Sequence, residues 1–246
     1  VIIGGVAGGA SAAARLRRLD EAAEIIILER GGYVSFANCG LPYYVGGVIA
    51  NQSQLTLQTP ESFRARFRID VRVRHEAVSL NPEAQTVTVR NLDTGETYTE
   101  SYDSLILSPG AEPIRPEMEG AGSPQVFTLR NIPDTLKIKE YIDQAKPRTA
   151  VVVGGGYIGV EMAENLRQAG LQVAVVERAS HLIAPLDPDM AADVHRYIQS
   201  QGIQLYLNNG VKAIGSRDVV LQTGSIPADM VILSVGVRPE TGLAQA

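Results

Sequence analysis

The sequence predicts an α/β protein made of two β-α-β domains in tandem, each built on a parallel sheet. Two observations carry that prediction. The run Val1-Ile2-Ile3-Gly4-Gly5-Val6-Ala7-Gly8-Gly9 returns 150 positions later as Val151-Val152-Val153-Gly154-Gly155-Gly156-Tyr157-Ile158-Gly159. Each run then leads through a helical stretch to an apolar segment that ends Glu-Arg, at Glu29-Arg30 and at Glu177-Arg178.

Composition agrees. A chain of 246 residues suits one large domain or two modest ones at ~150 residues per domain. Its 24 glycines exceed the usual ~7% without collagen spacing. The one cysteine, Cys39, excludes an intrachain disulfide and a four-cysteine zinc site, and it suits a reducing, cytoplasmic setting. A net charge of −5 with scattered basic residues offers nothing to nucleic acid or an anionic membrane. No apolar run reaches the ~18 residues of a membrane span. Val1 to Ala14 is apolar or small but lacks a basic segment in front, so it is not read as a signal sequence.

Val1 to Ile3 reads as a buried strand, Gly4 to Gly9 as a tight turn and the Ala-rich Ala10 to Leu19 as a helix. Ile25 to Arg30 is apolar on both faces, as parallel strands are. Arg64 to His75 is basic and ends in the alternating strand Ile69 to Arg74. Thr86 to Arg90 and Thr97 to Glu100 flank Asp93-Thr94-Gly95, a hairpin by turn chemistry. Ser104 to Leu107 is another buried strand, entering Ser108-Pro109-Gly110. The Pro-rich stretch Pro113 to Pro124 reads as a linker. It divides the chain into residues 1–113, 114–239 and a short return at 240–246. Helices follow at Ile132 to Gln144, Val160 to Ala169 and around Met190 to Gln201. A last strand, Asp229 to Val235, runs into Gly236-Val237-Arg238-Pro239, and the stretch between Val211 and Asp229 looks short for a full hairpin.

The glycine spacing carries chemistry. In a Gly-x-Gly-x-x-Gly turn the first Gly permits a tight turn, the second lets backbone approach a pyrophosphate, and the third packs helix on strand. The helix N-terminus then solvates the phosphates. Gly154, Gly156 and Gly159 meet this in full, with Glu177 placed to accept ribose hydroxyls. That acid repels a 2′-phosphate, so NADH is favoured and NADPH is the lesser alternative, with Arg178 moderating the preference. The first turn is imperfect, because Val6 takes the second glycine's place, yet Glu29 still ends the next strand. Two Rossmann-like dinucleotide sites in one chain suggest two cofactors exchanging electrons. Cys39 follows the first of them in Ser35-Phe36-Ala37-Asn38-Cys39-Gly40-Leu41-Pro42. A helix starting near Gly40 would stabilise its thiolate.

These motifs resemble the pyridine nucleotide–disulfide oxidoreductases, in their single-cysteine branch. The run Ser35 to Pro42 is most similar to coenzyme A disulfide reductases and NADH-dependent persulfide reductases. The resemblance runs from Val1 to about Ala246 and includes Tyr102 to Ala111, Phe127 to Asn131 and Gly236 to Pro239. It implies the FAD/NAD-linked reductase fold, with FAD on the first domain and NADH on the second. By position, Gly4, Val6, Ala7, Gly8, Gly9, Glu29 and Arg30 would hold the adenosine side of FAD. Ser108, Gly110, Ala111 and Arg130 would lie along the flavin, and Asn38, Cys39, Ala77 and Val78 would also bind the cofactor. Gly154, Gly156, Tyr157, Ile158, Gly159 and Glu177 would hold NADH, with Glu161 and Gly236 near the nicotinamide and Tyr157 covering its pocket. Cys39 would be the nucleophile. Ser11, Arg18, Ser35 and Asn38 match a coenzyme A pocket, with Arg15 standing where some members have another polar residue, and Phe67, between Arg66 and Arg68, replaces a lysine that some members use near the phosphates.

The implied reaction takes hydride from NADH to FAD and then to a small-molecule disulfide or persulfide through Cys39. Two alternatives stay open: an NADH oxidase or peroxidase cycling Cys39 through sulfenic acid, and a flavin electron-transfer module with a protein acceptor. Peroxidase-type members carry a histidine in the first glycine turn, where this chain has Ala7; His75, His181 and His195 read as structural or solvent-facing. Members also close the first domain with a strand ending Gly-Asp and add a dimerisation domain. No Gly-Asp occurs here, so the resemblance implies a piece of a longer homodimeric protein, without its C-terminal dimerisation domain. No metal site is expected.

Overall fold

The computed structural model describes residues 1–245 and divides into two compact units. One comprises Val1–Ala37, Ser53–Ala111 and Pro239–Ala246; the other comprises Asn38–Gln52 and Glu112–Arg238. Ala246, the last residue of the return segment 240–246, lies outside the described residues. The main helices are α1 (Ala7–Leu19), α2 (Leu41–Val45), α3 (Pro60–Phe67), α4 (Ile132–Ala145), α5 (Tyr157–Gln168) and α6 (Pro188–Ser200). None is long and apolar enough to cross a membrane.

In the first unit a parallel sheet runs in the order Asp70–Val73, Ile26–Glu29, Ile2–Ile3, Ile106–Leu107. Ile2, Ile25 and Ile27 pack with Ala10 and Ala13 of α1 and Phe63 of α3. Helix α1 starts at Ala7, three residues before the expected Ala10, because the glycine turn itself winds into it. Helix α3 was not foreseen in the basic stretch from Arg64. Its start is set by Thr59 and Ser62, which exchange side-chain to backbone hydrogen bonds as a capping box, with Pro60 in the first turn. Buried Arg17 joins the two helix ends: it donates to Asp20 and Glu21 carbonyls after α1 and to Phe67 and Arg68 carbonyls at the end of α3. A guanidinium thereby satisfies carbonyls that a helix leaves orphaned.

The expected hairpin forms, with Gly95 at φ +78°. A strand not read from sequence, His75–Asn81, completes it as a three-stranded antiparallel sheet, Thr86–Asn91 in the centre. Arg72 ties this sheet to the parallel one, donating to Asp70 (2.8 Å), Tyr98 (3.0 Å) and Glu100 (2.5 Å).

In the second unit the parallel order is Gln204–Tyr206, Gln172–Val176, Thr149–Val153, Met230–Leu233, Val126–Phe127. Helix α5 packs on this sheet. The stretch between Val211 and Asp229 is not too short for a hairpin, which corrects the sequence expectation. Turns of only three and two residues let it fold into three antiparallel strands, Val211–Ile214, Asp218–Leu221 and Gly224–Pro227. Ile214, Val219, Leu221 and Ile226 bury their side chains in one core with Val151, Val153 and Val231 of the parallel sheet. The Pro-rich stretch also packs here: Met118 and Ala121 lie against this core, and Glu119 bridges to Ala213.

Residues Asn38–Gln52 group with the second unit, which a boundary drawn along the linear sequence does not show. Leu41, Pro42 and Val45 are buried, and α2 lies on α4 and α5. Gly46 meets the buried Asn165 of α5 so closely that a Cβ there would overlap the Asn165 side chain. Asn165 in turn donates to the Glu161 carbonyl at 2.8 Å.

Candidate nucleotide and thiol sites

The two glycine turns repeat each other bond for bond. Gly4 at φ +93° and Gly154 at φ +106° hold left-handed conformations, and a Cβ on either would strike the carbonyl of Ser108 or Ser234. Gly9 and Gly159 face the carbonyls of Gly4 and Gly154 with no room for a methyl group. The Gly5 amide donates to Glu29 Oε2 at 2.8 Å, and the Gly155 amide to Glu177 Oε2 at 2.7 Å. The other oxygens accept from Gly31 (2.6 Å) and Ala179 (2.7 Å). A carboxylate offers about four lone-pair sites, so each acid keeps capacity for ribose hydroxyls after bracing its own turn.

Both turns open onto helix N-termini suited to an anion. Neither α1 nor α5 has a side-chain cap or an acid in its first turn. Their leading amides and the positive end of the helix dipole are therefore available to a phosphate. Gly156 has open space where a Cβ would be, and Tyr157 and Ile158 beside it are exposed.

Against the second turn lies a cavity of about 560 Å³ lined by Gly154, Gly156, Glu177, Arg178, Ser234 and Gly236, together with Asn209, Gly210 and Met118. The Ser234 hydroxyl is buried without a hydrogen-bond partner among the described residues. Such orphaned groups are rare in folded proteins and call for a partner, an ordered water or a ligand. The cavity, the uncapped helix and the half-used carboxylate together fit a dinucleotide. Ser234 was missed in the sequence, although Ile106-Leu107-Ser108-Pro109-Gly110 and Ile232-Leu233-Ser234-Val235-Gly236 are a third repeated motif that marks it. Asn209 was missed because an Asn-Gly pair reads only as turn chemistry. Its amide in fact bonds the Glu177 carbonyl at 3.0 Å.

The first unit holds Gly4, Val6, Ala7, Gly8, Gly9, Glu29 and Arg30 around the first turn, with Ser108, Gly110 and Ala111 after its fourth strand. Ala77 and Val78 sit at a bulge in His75–Asn81. Arg30 pairs with Glu240 at 3.9 Å. Ser11, Arg15 and Arg18 are exposed on α1 at spacings of four and three, so they share one face. Ser35, at φ +46°, donates its amide to Gly5.

The second unit holds Asn38, Cys39, Arg130, Glu161 and the second turn. Cys39 is exposed, in a single 3₁₀ turn that leads into α2. A helix does start just after Gly40, though it is only five residues long and has Pro42 in its first turn. The Asn38 Oδ1 atom is buried and unpartnered among the described residues, the same signature as Ser234. Burial, and then the charge of Glu164, push the Glu161 carboxyl above its ordinary range. His181 and His195 bond the backbone of Leu182, and His75 the Val73 carbonyl.

Two parallel-sheet units, each with a glycine turn of matching geometry, and an exposed cysteine define a protein of the two-Rossmann type. The chain belongs to the pyridine nucleotide-disulphide oxidoreductases, whose family profile matches residues 1–246. It is 39% identical over 242 residues to the coenzyme A disulfide reductase of Staphylococcus epidermidis, covering 98% of this chain and 55% of that protein. The reduced CoADR-RHD of Bacillus anthracis superposes with a TM-score of 0.96 at 53% identity, over 99% of this chain and 44% of that one. An NAD-dependent persulfide reductase of A. fulgidus superposes with a TM-score of 0.94 at 33% identity, over 99% of this chain and 47% of that one. The chain thus spans about half the length of the relatives it matches.

Proposed function

We propose that the protein is a flavin-dependent oxidoreductase that reduces a coenzyme A disulfide or a persulfide at the expense of NADH, through Cys39. The reading is carried by one observation: an exposed, solitary thiol in a chain with two dinucleotide turns of matching geometry. The names of the Staphylococcus, Bacillus and A. fulgidus relatives support the substrate class.

FAD, when bound, supplies the relay that takes hydride from NADH and delivers two electrons to sulfur. Glu29 and the α1 amides would hold its adenosine diphosphate half, and Glu177 and the α5 amides would hold NADH. The Cys39 thiolate attacks one sulfur of the substrate disulfide, releases the first thiolate and forms a mixed disulfide. Two electrons and a proton then release the second thiol and restore Cys39. With a persulfide, the thiolate takes the outer sulfur, a thiol leaves, and the same two electrons free sulfide. Substrate sulfur does the work of a second cysteine, which the chain lacks. Ser11, Arg15 and Arg18 on the exposed face of α1 would bind the substrate's phosphates, and we read the full protein as a cytoplasmic homodimer.

Cys39→Ser in the full-length protein tests this. It should abolish NADH-dependent disulfide and persulfide turnover while flavin reduction by NADH, followed by absorbance, continues. Full turnover by the serine variant would falsify the proposal.

A further inference from the structure

The loop between Glu177 and α6 folds back over the second glycine turn. The Ile183 amide donates to the Gly155 carbonyl at 2.8 Å. Leu182 is fully buried and fills the space in which a Cβ on Gly155 would lie. Ile183 holds φ +52°, a left-handed conformation that a β-branched residue keeps only when its surroundings impose it. The amide just before it, that of Leu182, donates to Nε2 of His195 on α6 at 3.0 Å. That bond fixes the ring's state: an accepting Nε2 carries no proton, so His195 is neutral with its proton on Nδ1. The first unit makes the equivalent corner at Ser35, and its one histidine, His75, bonds Val73 instead. The histidine clasp belongs to the second turn.

We infer that His195 is a positioning residue for the nicotinamide coenzyme, holding the Leu182–Ile183 corner and through it Gly155 and Glu177. The inference rests on the coenzyme reading of the cavity given above. Protonating Nε2 would replace an acceptor with a second donor facing the Leu182 amide, and the clasp would open. Titratable groups lie on the loop, on α6 itself and on the elements packed against it, and of these His181 bears on the charge of His195. His181 comes from the loop, its Nδ1 3.0 Å from the Leu182 carbonyl. On α6 itself Asp193 and Arg196 pair with each other, and Tyr197 donates to Glu164 of α5. The strand packed on α6 contributes Tyr206, which donates to Gln204. Burial first, and then the charge of His181, hold His195 below its ordinary range. The neutral clasp therefore persists at neutral pH and is lost as pH falls through a value below the usual ~6.5.

The test is the NADH affinity of the full-length protein by calorimetry between about pH 8 and about pH 5, with Leu182 amide exchange measured alongside. His195→Phe removes the acceptor, and His195→Gln supplies an oxygen near the Nε2 position that does not titrate. The phenylalanine variant should bind NADH about three- to tenfold more weakly near pH 8, the effect of one lost hydrogen bond. Wild type should converge on that weaker affinity in acid, with Leu182 exchange accelerating relative to His195→Gln. The glutamine variant should match wild type near pH 8 and stay flat in acid. Should His195→Phe fail to fold, the flat profile of His195→Gln against the falling one of wild type carries the test. Equal NADH affinity in all three proteins at every pH overturns this inference alone. Wild type that binds no NADH at any pH overturns the coenzyme reading and this inference together.

Discussion

The Gly155 amide donates a 2.7 Å hydrogen bond to Oε2 of Glu177. The same bond joins Gly5 to Glu29 at 2.8 Å. Each acid thus braces its own turn, and under the proposed function it would also accept ribose hydroxyls of the bound dinucleotide. Glu177→Gln keeps one accepting oxygen but turns a carboxamide NH2, a donor, toward a backbone donor or the ribose. We expect NADH affinity, by calorimetry, to fall about tenfold to a hundredfold, the effect of losing a charged hydrogen bond. FAD content should be unchanged. Glu29→Gln should reverse the pattern, losing flavin absorbance at 1:1 protein loading.

Gly159 lies within α5, where alanine is ordinarily better than glycine by ~1 kcal/mol. Steric overlap wins here, since a Cβ would meet the Gly154 carbonyl. Gly159→Ala should destabilise the second unit by roughly 2–4 kcal/mol in urea unfolding. Gly156→Ala, where the Cβ position is open, should cost far less stability, so the pair separates packing from phosphate access.

The turns were legible because their signals recur at regular spacing. Glycine spacing sets the left-handed positions Gly4 and Gly154, and the strand-terminal acids fall 24 and 22 residues after the glycine amides they brace. The parts that stayed hidden depend on distant partners. Nothing near Gly46 tells of Asn165, more than a hundred positions away, yet that contact seats α2 on α5. Asn209 reads as a turn residue until its bond to the Glu177 backbone is seen. The antiparallel strands after Val211 were underrated because two- and three-residue turns leave so little sequence to read. Helix α3 was lost among arginines because its start depends on a cap, Thr59 with Ser62, and not on apolar spacing.

Asp229 closes the base of the second sheet. Its carboxylate accepts from the Arg148 amide (2.9 Å), the Thr149 amide (3.0 Å) and the Thr149 hydroxyl (3.0 Å). The Arg148 amide bond leads the causes that hold this carboxyl below its usual range. A carboxyl whose folded value is depressed stabilises fully above its unfolded value and loses that contribution as pH falls through the folded one. Asp229→Ala should therefore lower stability by roughly 1–3 kcal/mol at neutral pH, with the gap to wild type closing below about pH 4. Thermal unfolding across that range measures it.

Ser11, Arg15 and Arg18 share an exposed face of α1. If that face receives a polyanionic substrate, Arg18→Ala should raise KM for coenzyme A disulfide several-fold at low salt and leave kcat nearly unchanged. The difference from wild type should shrink as salt screens the charge over a ~8–10 Å Debye length. Steady-state kinetics at two ionic strengths gives the answer.

The central claim is that Cys39 carries the substrate's sulfur. Intact-mass measurement of the full-length protein, mixed with coenzyme A disulfide and then with NADH, tests it most directly. We expect one coenzyme A joined to Cys39 through a disulfide, absent from Cys39→Ser and removed by NADH. A Cys39 that stays unmodified, or that gains only a single oxygen as sulfenic acid, would contradict it.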